Sequence, residues 1–597
     1  MYLSRIRISN FRNFSELDVV LGGNVVVVGE NRIGKSNLLY ALRLIFDPAL
    51  PDSSRQLNLS DFWDGLKTPS TDDKIVVSVE IEDFEDDLDI LALLTDFRLN
   101  DDPDTVRLTY EFRPRADLDG DPASDDDYDF ICYGGEDEAK RFGHDLRRRI
   151  TMDVLPALRD AEGDLANWRR SPLRPLIEDA FSGVEREDLQ EVADSVEAAT
   201  KKITDFDAVE ELEKRIGELF AEMSGPRQDV KPRLGFSPTE ATRLYRNIRL
   251  LIDEGVRAIS DASLGSANLI FLTLKALQLK RMLEDNKRDH TILAIEEPEA
   301  HLHPHLQRSV YRHLFESVGK EDNPLSVFLT THSPHIASVA PLRSILLLRD
   351  TSDDGTIACS TASLSLEDSE FEDLTRYLDV TRAEILFARG VILVEGDSER
   401  FLVPEFAKML GTPLDPLGIT VCSVGGTNFR PYAKFLTALG VPFAILTDWD
   451  PRGDDKHPLG YKRILRLVRV IEETRTGNEQ DKLIEELDAT KTYEEFFEHS
   501  EKYGVFSNNK TLELDLFTDG YANAIIEVLR EARLGSERKA LIDQWAEHND
   551  TLNDEKFLLM VEFMGKGRFA QRLATRMTNL EVPNYISSAI KFVADRV

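Results

Sequence analysis

The chain has 597 residues, 42% hydrophobic and 30% charged, with 109 acidic and 73 basic side chains and a formal net charge of −36. That composition belongs to a folded protein of several domains and excludes disordered and collagen-like chains; no apolar run approaches a membrane span of roughly 18 to 20 residues, so no membrane partner is expected. Cys132, Cys359 and Cys422 are too far apart in sequence for a CxxC metal site, and the first ten residues lack an apolar signal segment, so a reducing cytoplasm is the expected location.

The elements follow in chain order. Tyr2 to Ile8 alternates as a strand, Val25 to Val28 is a continuous apolar strand, and Leu38, Leu39, Leu42, Ile45 and Phe46 have helical spacing. Val106, Leu108, Tyr110 and Phe112 mark another alternating strand. From Leu189 to Met223 the chain turns helical. Leu189, Val192, Val196, Ala199 and Ile203 form one short heptad seam, and Val209, Leu212, Ile216, Leu219 and Met223 form a second. Two readings stand for this segment: helices packed inside one subunit, or a dimerisation arm. An α/β pattern resumes after Pro226 and runs to about Asp350; a second α/β unit begins near Gly390 and ends in a helical, charged tail. Acidic stretches at Asp83 to Asp89 and Asp117 to Asp129 read as solvated loops. Basic residues survive in two groups, Arg147, Arg148 and Arg149, and Lys462, Arg463, Arg466 and Arg469, so an acidic total does not exclude DNA.

The first chemical motif is Gly29-Glu30-Asn31-Arg32-Ile33-Gly34-Lys35-Ser36, which fits GxxxxGK[ST] between an apolar strand and a helix. Backbone N–H groups of such a loop bind phosphate oxygens, Lys35 reaches the β and γ phosphates of ATP, and the Ser36 hydroxyl holds Mg²⁺. Gly29, Asn31 and Gly34 shape that loop. The strand Ile292 to Ile295 ends in Glu296 and Glu297; Glu296 is expected to bind Mg²⁺ and Glu297 to polarise the attacking water. A third strand end, Phe328 to Ser333, places His332 as a γ-phosphate sensor. His301, His303 and His305 read as helix-start or dimer-contact residues rather than zinc ligands.

These residues, with Asn10-Phe11-Arg12 and the run Glu296 to Pro304, resemble the ABC-type ATPases of the RecF and SMC kind. The resemblance implies ATP sandwiched between two heads, with Ser263 and Gly265 as the signature contributed in trans. Arg32 and Glu296 depart from the glycine and aspartate usual there. Lys35 and Glu296 are far apart in sequence, and the segment 155–245 is the expected insert.

The second motif is a set of acids. Val391 to Val394 is an apolar strand ending in Glu395-Gly396, with Glu399 one turn into the next helix. Phe443 to Thr447 is another buried strand, ending in Asp448-Trp449-Asp450. Adjacent parallel strands share an edge, so Glu395, Glu399, Asp448 and Asp450 are expected to converge, and crowded carboxylates call for Mg²⁺ or Mn²⁺. Two such ions serve phosphodiester cleavage.

The pattern looks like a Toprim domain. With the ATPase head, Glu513 in Lys510 to Asp515, and Lys566 in Gly565-Lys566-Gly567-Arg568-Phe569-Ala570, the chain resembles the OLD (overcoming lysogenization defect) nucleases, class 2, the group that includes the Gabija nuclease subunit. The resemblance implies an α/β fold: an ABC-type ATPase head with a helical dimerisation insert, then a Toprim domain with a helical extension. The expected parts are 1–154 and 246–375 for the head, 155–245 for the insert and 380–597 for the Toprim unit. It further implies a dimeric, metal-dependent DNA endonuclease in phage defence or DNA processing, beside a helicase-like partner. Glu395, Glu399, Asp448, Asp450 and Glu513 would hold metal and Lys566 would stabilise the transition state. The competing expectation is an ATP-driven DNA clamp with a non-catalytic Toprim domain.

Overall fold

The structure is a computed structural model that describes the chain apart from residues 119, 158–159, 205, 225–233, 235–244, 247, 319–323, 352–354, 379–381, 453–456, 479, 491 and 578–579. Its strands are β1 (Tyr2–Phe11), β2 (Phe14–Val20), β3 (Val25–Gly29), β4 (Ile75–Glu82), β5 (Val106–Pro114), β6 (Tyr128–Gly134), β7 (Ile150–Leu155), β8 (Leu251–Ile252), β9 (Arg257–Ala258), β10 (His290–Glu296), β11 (Leu325–Thr330), β12 (Ile345–Thr351), β13 (Gly355–Ser360), β14 (Gly390–Val394), β15 (Ile419–Ser423), β16 (Phe443–Thr447) and β17 (Val505–Ser507). The fold is α/β, as expected.

The first compact unit comprises Met1–Pro156, Asp289–Glu299 and Pro304–Val597. It holds two sheets. In the larger, eleven strands run in the order β6-β5-β4-β1-β2-β13-β12-β3-β11-β10-β7. Strands β12, β3, β11, β10 and β7 are mutually parallel, and the rest pair antiparallel. This parallel half explains the sequence pattern: Val25 to Val28 are all buried, as a strand covered on both faces requires. The Lys35–Phe46 helix turns Leu38, Leu39, Leu42, Ile45 and Phe46 into the core.

The smaller sheet, β15-β14-β16-β17, is wholly parallel. Helices Asp397–Met409, Arg430–Ala438 and Leu459–Thr476 follow its first three strands in sequence order. A helical tail from Leu512 to Ala594 packs against it; Trp545, Phe557, Phe569 and Ile590 are among its fully buried side chains. The first strand of this sheet is tied back to the nucleotide loop, since Arg389 donates from Nε and Nη2 to both carboxylate oxygens of Glu30.

The second unit comprises Ala157–Arg288 and Ala300–His303, with helices Arg186–Thr204, Asp207–Ser224 and Leu264–Glu284 and the β8–β9 hairpin. On the heptad seams, Val192, Val196, Leu212, Ile216 and Leu219 stay exposed, while Ala193, one position off the seam, is buried. The seam side chains of Ile203 and Met223 lie outside the described residues. Among the described residues no helix is long and apolar enough to cross a membrane.

The basic group Arg147, Arg148 and Arg149 is split, with only Arg148 exposed. The chain passes from helix to strand there, which turns Arg147 inward, where Nε donates to the Ile45 carbonyl; Arg149 pairs with Asp289.

Candidate active site

The loop Gly29 to Ser36 leaves β3 and opens the Lys35–Phe46 helix, the arrangement that aims backbone N–H groups at an anion. Gly34 has φ 98°, and a Cβ there would collide with the Asn13 side chain. Arg32, where glycine is usual in the resembling family, also has positive φ (66°), so the chain holds an L residue in a strained conformation there. Lys35 is buried and its Nζ donates to the carbonyl oxygens of Gly29 (3.0 Å) and Glu30 (2.7 Å). Burial pushes its pKa down to about 8 against the opposing pull of Glu297, Glu299 and Glu30.

The two other strand ends arrive beside it through the sheet order, since β11 lies between β3 and β10. The Thr331 amide donates to the Val27 carbonyl, and the Glu297 amide donates to the Thr330 carbonyl. His332 Nε2 lies 3.4 Å from Glu297 Oε1; burial first, then Lys35, lowers the His332 pKa, so the ring is neutral at neutral pH. Glu299, which the sequence reading passed over, accepts from the Thr331 hydroxyl and the His332 amide and so fixes the histidine loop. Glu296 ends β10, and Ser36 opens the helix. Ser263 caps the Leu264–Glu284 helix in the second unit; a Cβ on Gly265 would approach the His301 carbonyl at 2.5 Å. Among the described residues, His301, His303 and His305 form no metal site.

The acids gather at the carboxyl ends of β14 and β16, which pair side by side. Glu395 Oε1 accepts from the Thr447 hydroxyl (2.6 Å), the Asp448 amide (3.0 Å) and Arg463 Nη1 (2.6 Å). Glu399 stands in the first turn of the Asp397–Met409 helix and accepts from the Gly396 amide. Asp448 accepts from Asn508 Nδ2 and the Leu512 amide. Glu513, only 2% exposed, accepts from the Ser398 hydroxyl and lies 3.6 Å from Lys566 Nζ. Asp450, at φ 50°, joins the group through Arg463 Nη2 at 2.9 Å.

Asp448-Trp449-Asp450 works as a turn because its middle residue is an anchor. Trp449 is buried among Tyr461, Tyr493, Phe496 and Phe497, and its amide donates to Asn508. The flanking aspartates are only partly exposed. Lys566 begins the Lys566–Ala574 helix with its side chain about half exposed, and Gly567 allows that helix close to Asp397 and Phe401.

The acids feel one another. Burial, then Glu513 and Glu395, push the Glu399 pKa up to about 7. Burial, Glu395 and Glu399 raise Asp448 well above the carboxylate range. Burial acts against protonated Lys566, but Glu513, Asp448 and Glu399 outweigh it and raise its pKa. An oxygen-only cluster whose members resist ionising together is chemically suited to a hard divalent cation. Among the described residues, however, no three acids or histidines stand ready to hold a metal ion, and Arg463 bridges Glu395 and Asp450. Arg463, Asn508, Ser398 and Thr447 were not assigned to this site from sequence.

Comparison with known proteins agrees with this layout. Residues 25–338, just over half of the chain, match the AAA domain of the AbiEii, type IV TA system kind, and residues 386–450 match the overcoming lysogenization defect protein-like Toprim domain. This is an OLD-family protein. The OLD-family chain is 25% identical over 496 residues to a protein named OLD nuclease from Thermus scotoductus, covering 81% of this chain and 86% of that one. It is 23% identical over 489 residues to endonuclease GajA from Bacillus cereus, covering 79% and 78%. Its C-terminal part is 42% identical to the solved C-terminal region of the Burkholderia pseudomallei OLD protein, covering 35% of this chain and 98% of that one with a TM-score of 0.30.

Proposed function

We propose that this protein is an ATP-binding, divalent-metal-dependent DNA endonuclease. The observation that carries the proposal is the meeting of Glu395, Glu399, Asp448 and Glu513 with Lys566 at one sheet edge, where the neighbouring acids raise the pKa values of Glu399, Asp448 and Lys566. The names of its relatives, OLD nuclease and endonuclease GajA, support the same reading.

Glu395, Glu399, Asp448, Asp450 and Glu513 would hold Mg²⁺ or Mn²⁺. Such ions, when bound, lower the pKa of water and neutralise charge on a transferring phosphoryl group. The chain's own groups do the rest. Thr447, Asn508 and Ser398 orient the carboxylates through hydrogen bonds. Lys566 keeps its proton beside the acids and offsets charge developing on the phosphate. In the head, Lys35 binds the phosphates of ATP, Ser36 and Glu296 take its Mg²⁺, Glu297 positions water, and neutral His332 donates toward the γ phosphate. Ser263 and Gly265 serve the head of a second copy in a homodimer, and the exposed seam of the 155–245 insert provides a contact surface. A role in phage defence or DNA processing in the cytoplasm, with a helicase-like partner, completes the reading.

The competing reading is an ATP-driven DNA clamp without cleavage; Arg463 between Glu395 and Asp450 is the observation in its favour. Plasmid nicking with Mg²⁺ or Mn²⁺ decides between them. The proposal expects nicking by wild type and none by Glu395→Ala, and nicking that survives Glu395→Ala overturns it.

A further inference from the structure

We propose that an open cleft beside the acids is a track for the sugar-phosphate backbone of a nucleic-acid strand, and that Arg463 forms its inner end. The inference deepens the nuclease reading, on which its functional meaning rests, by assigning the place where substrate lies. The cleft has a volume of about 770 Å³ and is lined by Arg430, Arg452, His457, Lys462, Arg463 and Arg466, among others.

Three of these cations come from one helix. Lys462 and Arg463 lie four and three residues before Arg466 on the Leu459–Thr476 helix, so each neighbours Arg466 on the helix surface. Arg463 looks both ways: it lines the cleft, and its guanidinium holds Glu395 and Asp450. The cleft therefore adjoins the acid cluster at Arg463.

Three of its other cations are available. Arg430 pairs with Glu367 and Glu370, and outside this cleft Arg469 pairs with Asp481. Among the described residues Arg452, Lys462 and Arg466 have no ion-pair partner, and Lys462 and Arg466 are exposed. A chain of net charge −36 that keeps unpaired cations together next to its acids presents a local field opposite to its overall one.

The spread of these cations favours a strand over a small anion. A single phosphate is best held by donors that converge on one point. Here the cations come from separate places, Arg430 on its own helix, Arg452 ahead of the Leu459–Thr476 helix and Lys462, Arg463 and Arg466 on it, as successive backbone phosphates require. His457 lies stacked on Tyr461 at a centroid separation of 4.6 Å, giving the cleft an aromatic surface suited to a base.

The test uses the full-length protein in EDTA, with labelled single-stranded and duplex oligonucleotides titrated at several salt concentrations. Lys462→Ala with Arg466→Ala is expected to raise Kd at least about tenfold and to flatten the log Kd against log salt slope by about 2. A control neutralising two exposed tail lysines, Lys539→Ala with Lys556→Ala, is expected to bind as wild type. Unchanged affinity and slope in the cleft variant overturn the proposal, as does an equal loss in the control. Polyglutamate displacing the oligonucleotide from wild type but not from the cleft variant also overturns it, because the cleft would then accept any polyanion. Thermal melts confirm that both variants fold. If wild type nicks no plasmid yet the cleft variant loses binding, the nuclease reading fails and the track stands. If wild type nicks in a Glu395-dependent way and the cleft variant binds normally, the track alone fails.

Discussion

The backbone amide of Asp448 donates to Oε1 of Glu395 at 3.0 Å, so a carboxylate at the end of one parallel strand is held by the peptide that ends its neighbour. The Thr447 hydroxyl and Arg463 reach the same oxygen. Replacing Glu395 therefore removes a proposed metal ligand and releases three donors. Glu395→Ala should reduce nicking by more than the roughly 10- to 100-fold typical of outer partners of a metal site. Thr447→Val, which removes only an orienting hydroxyl, should fall within that range. A rate for Thr447→Val as low as that for Glu395→Ala would mean that the hydroxyl does more than orient the acid.

The raised acids set a pH dependence for the metal-free protein. Folded Glu399 titrates near 7, against 4.5 ordinarily, so between those values the folded state binds a proton that the unfolded chain has released. Its contribution to stability is present below about pH 4.5 and is lost as pH rises through about 7. Asp448 acts in the same direction. In EDTA, denaturation midpoints should fall over this window, and Glu399→Gln should flatten the fall. Added Mg²⁺ should stabilise the protein most at the upper end, where the acids are ionised.

The nucleotide loop carries two strained positions of opposite consequence. Arg32→Gly relieves a positive φ but adds chain entropy to the unfolded state, so its stability should stay within about 1 kcal/mol of wild type. Gly34→Ala places a methyl group against Asn13 at φ 98° and should abolish binding of a fluorescent ATP analogue. Lys35→Ala should do the same. In wild type, affinity should decline as pH rises above about 8, where Lys35 loses its proton.

Lys566 neutralises the buried Glu513 across 3.6 Å. Lys566→Ala should lower stability by roughly 1–3 kcal/mol, because it leaves a buried carboxylate unpaired. Glu513→Gln in that background should restore stability without restoring nicking, a separation readable from melts and plasmid gels together.

Gly460 lets the Leu459–Thr476 helix start against the aspartate turn. A Cβ there would stand 2.7 Å from the Asp448 carbonyl and 2.8 Å from that of Trp449. Gly460→Ala should cost roughly 1–3 kcal/mol by overpacking and reduce nicking by displacing both aspartates. Unaltered nicking would show that the turn tolerates the shift.

Much of this protein is written locally. The phosphate loop is legible because its strand, glycines, lysine and helix are contiguous, and the acids are legible because apolar strands of five residues end at Glu395 and Asp448. Such signals need only the period of a strand and the geometry of a helix N-terminus. What only the tertiary structure decided are the partners brought in from far along the chain. Asn508 reaches Asp448 from 60 positions away, Arg463 reaches Glu395 from 68, and Ser398 meets Glu513 from 115. No periodicity encodes those pairings, because they depend on which strands lie side by side in the sheet. The same limit separates the two basic clusters, alike as sequence: packing turns Arg147 into the core and leaves Lys462 and Arg466 facing an open cleft.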